Sequence, residues 1–231
     1  MSQPPKKKRQ SKFDRQQASA RTRHESRSPV FGVPEEIVEL PRNKSTRLLY
    51  ANPVCFLTTS SAPRDDENGS AGTVTNVQTI SWVTPLDNDG HVLMSQSIRR
   101  HSHSILKESG RCVLNVATQQ HADLLALVGS CSGRNTNKFD EFNIQTCAPG
   151  WEGTSSDVAF VDCVAHVVLK VLSCNEQFGH AVWTCEIERA FVRKDCWNGK
   201  QLVPPEGSEL LSFLGSMRFA TINPLPELSV D

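Results

Sequence analysis

The chain has 231 residues, 38% of them hydrophobic and 22% charged, which suits one substantial soluble domain or two small ones. No run approaches the roughly 18 consecutive apolar residues of a membrane-spanning helix, so the sequence excludes a transmembrane protein. The net charge is zero, but the charges are unevenly distributed: residues 1–28 hold nine bases and two acids, and the rest of the chain holds sixteen bases and twenty-three acids. The acidic region after residue 28 is therefore a poor electrostatic match for nucleic acid.

Residues 1–30 form a basic segment with almost no apolar side chains. Such a segment cannot offset its ordering entropy, so we predict a disordered tail. The run from Pro5 to Arg9 is typical of a nuclear import signal, but it also fits a solvated basic tail. A cleavable presequence is a third possibility, weakened by the lack of an amphipathic apolar face. We expect the protein in the cytoplasm or the nucleus.

From Leu48 onward the sequence predicts mainly strands. The predicted strands cover residues 53–60, 92–97, 111–116, 165–173 and 181–192, and a charged loop over 63–72 predicts a hairpin or an insertion. In the last strand Trp183 and Cys185 alternate with Thr184 and Glu186, so one face should be buried and the other should contact water.

Helices are few and short in this sequence. One is predicted over 103–109 with Ser102 as its N-cap and Gly110 at its end, and another over 119–128 before Gly129. Strands with occasional helices favour an antiparallel barrel or sandwich over a doubly wound sheet. Neither a dinucleotide-binding glycine motif nor a P-loop motif is present.

Eight cysteines are spread over the chain without a C-x-x-C pair. Several lie in apolar strand-like runs, where a reduced cysteine behaves as a small hydrophobic residue. We therefore predict reduced thiols in a cytosolic or nuclear protein rather than disulfides. No Cys or His has zinc-site spacing to a second pair, so we predict no metal site.

A series of polar motifs runs from Thr73 to Phe139. The motifs are, in order, Asn76 with Ser81-Trp82, a strand ending in Ser95 and Ser97 before Arg99-Arg100 and Ser102, a glycine and strand ending in Asn115-Val116, the turn from Gly129 to Gly133, and Asn137-Lys138-Phe139. Taken in this order, they resemble the flavin reductase-like family of FMN-binding split barrels over residues 46–220.

This resemblance implies a mainly β fold, a Greek-key split β-barrel with a few short helices, as an FMN-binding domain over residues 40–225. It also implies a homodimer in which FMN lies at or near the subunit interface. Three departures weaken nicotinamide specificity more than flavin binding. The double proline after the Ser-rich loop is absent, Asn137 replaces an acid, and Gly179 replaces an Asp before His180.

The chemistry of FMN supports the same residues. Its phosphate requires Arg and hydroxyl donors, and its ring edge requires small donors beside a flat apolar wall. Arg99, Arg100 and Ser102 suit the phosphate. Asn76, Thr79 and Ser81 suit the ring edge, and the resemblance adds Ser95 and Ser97 to the ribityl phosphate site. The set predicted to bind the cofactor is Asn76, Thr79, Ser81, Ser95, Ser97, Arg99, Arg100, Ser102 and Lys138.

Each of these residues also has an ordinary structural interpretation. Both arginines suit a solvated strand end, Ser102 a helix cap and Asn76 a turn, although together the residues favour a ligand site. Lys138 suits either the phosphate or an ion pair with Asp140. We interpret His180 as a turn residue, Trp82 as core packing and Asn115 as a strand-end hydrogen-bonding residue.

The function that the resemblance implies is an FMN-dependent oxidoreductase, which transfers hydride from NADH or NADPH to the flavin. The flavin itself does this chemistry, so no side chain is named as catalytic. The first alternative is a flavin- or heme-binding barrel without turnover. The second is a nuclear, nucleic-acid-associated factor that acts through its basic tail.

Overall fold

The structure is a computed structural model that describes residues 52–62, 64–65 and 71–223. The predicted tail over residues 1–30 and both ends of the predicted 40–225 domain lie outside these residues. Within them, no helix is long and apolar enough to cross a membrane.

The described part of the chain consists mainly of strands. The elements are β1 (Cys55–Ser60), β2 (Arg64–Asp65), β3 (Ala71–Gly72), β4 (Thr75–Ile80), β5 (Val83–Pro85), β6 (His91–Ser97), α1 (His101–Ser109), β7 (Arg111–Val116), α2 (Ala122–Ser130), α3 (Lys138–Glu141), β8 (Thr146–Cys147), β9 (Ala159–Phe160), β10 (Ala165–Gln177), β11 (His180–Val192), β12 (Leu210–Gly215) and β13 (Arg218–Ile222). Short 3-10 helices lie at Gln119–His121 and Lys194–Cys196.

Seven strands form one antiparallel sheet in the order β4-β1-β7-β10-β11-β6-β5. The sheet curls into a half-barrel, so β4 at one edge approaches β6 near the other edge. The hairpins β2–β3, β8–β9 and β12–β13 lie outside this sheet. The prediction of a mainly β split barrel with few helices is confirmed.

Each face of the curled sheet buries its own group of apolar side chains. The barrel interior holds Leu57, Met94 and Trp183, and α1 adds Leu106 to this group. The outer face of β1 and β4 packs Phe56 and Val77 against α2 and the β12–β13 hairpin. Burial of each large side chain stabilises the fold by about 1.5–3 kcal/mol.

Helix α1 begins two residues before its predicted start. Its N-cap is Arg100, which makes no side-chain capping bond, and it ends at Gly110 in the left-handed conformation. The prediction of Ser102 as the N-cap is therefore wrong, because Ser102 lies inside the helix and is fully buried. The second predicted helix is divided between the 3-10 turn Gln119–His121 and α2.

All eight cysteines are free thiols, as predicted. Burial raises the pKa of both Cys55 and Cys185 to about 12. These thiols therefore act as apolar core side chains. No group of three or more Asp, Glu, His or Cys residues in the described ranges is placed to hold a metal ion.

Candidate functional site

Two adjoining cavities open where β4 approaches β6, and they share Gln78, Ser97 and Arg100. The aromatic cavity, of about 280 Å³, is lined by Gln78, Thr79, Ile80, Ser81, Trp82, Ser95, Gln96, Ser97, Arg100, Leu125, Gly129, His180, Phe213, Met217 and Phe219. The basic cavity, of about 370 Å³, is lined by Asn76, Gln78, Ser97, Arg99, Arg100, His101, Ser130, Cys131, Ser132, Gly133 and Lys138. Together they have the size and continuity of a small-molecule site.

Rings from distant parts of the chain flank the aromatic cavity. Trp82 follows β4 and its ring centroid lies 5.4 Å from that of His180 at the start of β11. Phe213 and Phe219 face each other across the β12–β13 hairpin, with centroids 5.6 Å apart. The interpretation of Trp82 as core packing is wrong, because its side chain is 39% exposed and lines the cavity.

The basic cavity is lined by Arg99, Arg100 and Lys138, and no acidic residue is among its lining residues. Arg99 and Arg100 lie in the turn between β6 and α1, and Arg134 donates a hydrogen bond to the Arg99 carbonyl oxygen at 2.7 Å. Burial, together with the charges of Arg134 and Lys138, lowers the pKa of His101 below its usual value. An anion entering this cavity would meet positive side chains and no carboxylate among the lining residues.

Lys138 has a structural role within the same cavity. Its Nζ donates to the carbonyl oxygens of Val77 at 3.0 Å and Val128 at 2.7 Å, so it joins β4 to α2. Burial lowers its pKa below the usual range. The predicted alternative of an ion pair with Asp140 is wrong, because the Lys138 ammonium group donates to these two carbonyl oxygens, while the Asp140 carboxylate accepts from the Asn137 amide.

Asn76 is fixed by two neighbours. Its Nδ2 donates to Ser102 Oγ at 2.6 Å, and a Cβ added to Gly133 would lie only 1.9 Å from its Oδ1. A glycine at position 133 therefore lets the loop after α2 approach the Asn76 amide. Asn76 lines the basic cavity rather than the aromatic cavity, where a ring-edge residue would be expected.

Eight of the nine predicted site residues lie on the cavity walls. Thr79, Ser81 and Ser95 line the aromatic cavity, Asn76, Arg99 and Lys138 line the basic cavity, and Ser97 and Arg100 line both. Ser102 lines neither cavity, and its hydroxyl oxygen accepts the hydrogen bond from the Asn76 amide. The Thr79 hydroxyl donates to the Leu125 carbonyl oxygen at 2.6 Å, so it also ties β4 to α2.

Two glutamines in the wall were missed by the sequence interpretation. Gln78 Nε2 donates to Gln96 Oε1 at 2.7 Å, and the two residues are only 5% and 4% exposed. Gln78 Oε1 and Gln96 Nε2 have no hydrogen-bond partner among the described residues. The sequence did contain a pattern that indicates the position of Gln96, since this residue continues the inward-facing alternation of Val92 and Met94 along β6.

The other interpreted residues lie outside or at the rim of the cavities. Asn115 is fully buried, and its amide donates to the Phe56 carbonyl oxygen at 3.0 Å and accepts from the Phe160 N–H at 2.8 Å. This confirms its interpretation as a hydrogen-bonding residue. His180 begins β11 beside the turn, as interpreted, but it also lines the aromatic cavity.

Known structures share this fold at low sequence identity. An FMN-binding protein from Thermus thermophilus is 18% identical, with a TM-score of 0.60, covering 87% of this chain and 100% of its own. An FMN-binding domain of a flavin reductase-like enzyme from Shewanella baltica is 19% identical, with a TM-score of 0.62 and coverages of 86% and 100%. Flavoredoxin of Desulfovibrio vulgaris is 13% identical, with a TM-score of 0.63 and coverages of 85% and 97%.

Curated protein sequences give no significant match to this chain. The family model described as "Flavin reductase like domain" matches residues 46–203, which is more than half of the sequence. This range contains β1 through β11 and most of the residues that line both cavities. The chain belongs to the flavin reductase-like family.

Proposed function

We propose that the protein is an FMN-dependent oxidoreductase that transfers hydride from NADH or NADPH to flavin. The observation that carries this proposal is the continuity of the aromatic and basic cavities. FMN has the same two-part chemistry, with a flat aromatic ring at one end and a phosphate dianion at the other. The names of the similar structures, which include FMN-binding proteins, support the choice of FMN.

The residues present fit this cofactor. Arg99 and Arg100 offer charge-assisted donors to a phosphate, and no carboxylate in the cavity wall opposes it. The close approach of Gly133 to Asn76 leaves no room for a side chain there. The unpartnered buried amide atoms of Gln78 and Gln96 require a polar ligand rather than a purely apolar one.

FMN, when bound, supplies the two-electron chemistry. The chain would supply binding and orientation: Arg99 and Arg100 would hold the phosphate, and the walls around Trp82 and Phe213 would flank the ring. Lys138 and Thr79 hold β4 against α2, which keeps the two cavities aligned. No side-chain acid or base is needed for hydride transfer itself, so the proposal names no catalytic residue.

The test is a titration followed by an activity assay. We expect FMN to bind to the protein, with quenching of the flavin fluorescence. We also expect NADH or NADPH oxidation to require both FMN and the protein. The Arg99→Ala/Arg100→Ala variant is the control, and it should lose activity at low FMN concentration. FMN binding without nicotinamide oxidation would indicate a flavin-binding protein without turnover, and no FMN binding would contradict the proposal entirely.

The proposal includes a homodimer. Large apolar side chains at or near the rim of the aromatic cavity remain exposed, with Met217 55%, Trp82 39% and Ile98 38% accessible. Such side chains at a cavity rim favour a second copy as the cover. Sedimentation equilibrium should give a dimer mass at micromolar concentration, and a monomer mass would contradict this part of the proposal.

We also propose that the basic cluster from Lys6 to Arg9 directs nuclear import. A fluorescent fusion carrying residues 1–30 should accumulate in nuclei. Replacement of Lys6, Lys7, Lys8 and Arg9 by Ala should abolish this accumulation. Equal distribution of both fusions would leave a solvated basic tail.

A further inference from the structure

The Gln78–Gln96 pair bridges the open side of the barrel. Gln78 lies on β4 at one edge of the seven-stranded sheet, and Gln96 lies on β6, next to β5 at the other edge. The 2.7 Å bond between their amides therefore joins two strands that are not neighbours in the sheet. It lies where the two cavities meet, because Gln78 lines both of them.

This pair leaves one acceptor and one donor without a partner. Gln78 Oε1 can accept a hydrogen bond and Gln96 Nε2 can donate one, and neither has a partner among the described residues. If both amides were rotated by half a turn, the roles would exchange, but one free acceptor and one free donor would remain. Buried groups of this kind are costly unless a ligand satisfies them.

A hydroxyl group can bond to either atom, because it both donates and accepts. Phosphate dianion oxygens only accept, and so do the ring carbonyl oxygens and N5 of an oxidised flavin. The imide N3–H of the ring is a donor, but it lies several bonds further from the phosphate than any ribityl hydroxyl. The chain between ring and phosphate is the part of FMN that must cross the junction at Gln78.

We propose that the Gln78–Gln96 amide pair binds a hydroxyl group of the ribityl chain and so selects flavins that carry this polyol. The inference rests on the proposed FMN function and deepens it. A ligand without the hydroxyl groups would leave the buried acceptor and donor unpaired. Its affinity should therefore be roughly ten- to hundredfold lower than that of FMN.

The experiment compares three ligands by fluorescence titration. FMN is the reference, 2′,3′,4′-trideoxy-FMN keeps the ring and phosphate but lacks the three hydroxyl groups, and 3-methyl-FMN lacks only the imide N–H. The variants are Gln78→Met, Gln96→Met and the double variant, because Met has a similar volume but forms no comparable hydrogen bond. Gln201→Met on an exposed loop is the matched control.

We expect wild type and Gln201→Met to prefer FMN over the trideoxy ligand, and the double Met variant to bind both equally. Binding of 3-methyl-FMN should follow that of FMN in every variant. A ribityl preference that survives in the double variant would overturn the inference. So would a penalty for 3-methyl-FMN that disappears in that variant, because the pair would then bind the imide edge.

The wild-type titration keeps the test independent of how well the variants fold. If wild type binds FMN and the trideoxy ligand equally, this inference fails while the proposed FMN function stands. If wild type binds no FMN, both fail.

Discussion

The two cavities are built from the chain in different ways. The cations of the basic cavity lie in two short segments, the β6–α1 turn with Arg99 and Arg100 and the α3 start with Lys138. The aromatic cavity combines residues from β4–β5, β11 and the distant β12–β13 hairpin. A local cluster of charges is visible in a sequence, whereas a wall assembled from distant segments requires the fold.

The largest expected effect is a loss of FMN affinity when the positive charges of the basic cavity are removed. Arg99→Ala/Arg100→Ala should weaken FMN binding about a hundredfold or more, because each charge-assisted bond contributes about 1.5–3 kcal/mol. Riboflavin lacks the phosphate and should lose little affinity. The measurement is a pair of fluorescence titrations.

A double variant on the outer strands provides the control for net charge. Lys170→Ala/Arg189→Ala removes two positive charges from exposed positions on β10 and β11. It should leave both affinities unchanged. Equal loss of FMN and riboflavin in the Arg99, Arg100 variant would contradict a phosphate role for the basic cavity.

The next prediction distinguishes the structural role of Lys138 from the phosphate-binding role of Arg99 and Arg100. Lys138→Met should lower the free energy of unfolding by about 3 kcal/mol, since two charge-assisted bonds to buried carbonyl oxygens are lost. Urea unfolding measures this change. The remaining FMN and riboflavin affinities should fall in the same proportion, and a loss confined to FMN would instead make Lys138 a phosphate ligand.

A smaller effect is expected in the aromatic cavity. Ser81→Ala should weaken FMN and riboflavin binding equally, by about two- to tenfold, because a neutral hydrogen bond contributes about 0.5–1.5 kcal/mol. Calorimetric titration of both ligands with this variant is the measurement. A loss restricted to FMN would place the phosphate, and not the ring, beside Ser81.

The smallest effect concerns pH. His101 has a lowered pKa in the free protein, and a nearby phosphate dianion would raise it, so FMN binding should be accompanied by proton uptake. FMN affinity should therefore rise, by about two- to threefold, as pH falls from 8 to 6.5. Riboflavin affinity should stay constant over this range. A His101→Gln variant that retains the FMN trend would assign the trend to another group.

Strand prediction succeeded where the strand is largely buried or alternates between buried and partly exposed residues. The predicted strand over 111–116 has the observed bounds of β7, and the observed β6, β10 and β11 begin or end within a few residues of their predicted limits. β10 runs on to Gln177 because it pairs with β11 along the whole hairpin. Its outer half is mostly exposed, so burial periodicity gave no signal there.

The sequence indicated which charged residues lie together, since Arg99, Arg100 and Lys138 all line the basic cavity, but it did not indicate side-chain directions. The sequence could not show that Trp82 turns out of the core beside His180, since that depends on the pairing of β11 with β6. It also could not show that Ser102 lies behind Asn76, because these residues meet only when α1 packs on β4. Both errors concern contacts between distant segments.

The central claim is that one FMN molecule spans both cavities, with its phosphate in the basic cavity and its ring in the aromatic cavity. The most direct test is a crystal structure of the full chain with FMN. We predict phosphate oxygens about 3 Å from the guanidinium groups of Arg99 and Arg100, and the ring between Trp82 and Phe213. FMN bound elsewhere, or with its ring in the basic cavity, would contradict the account.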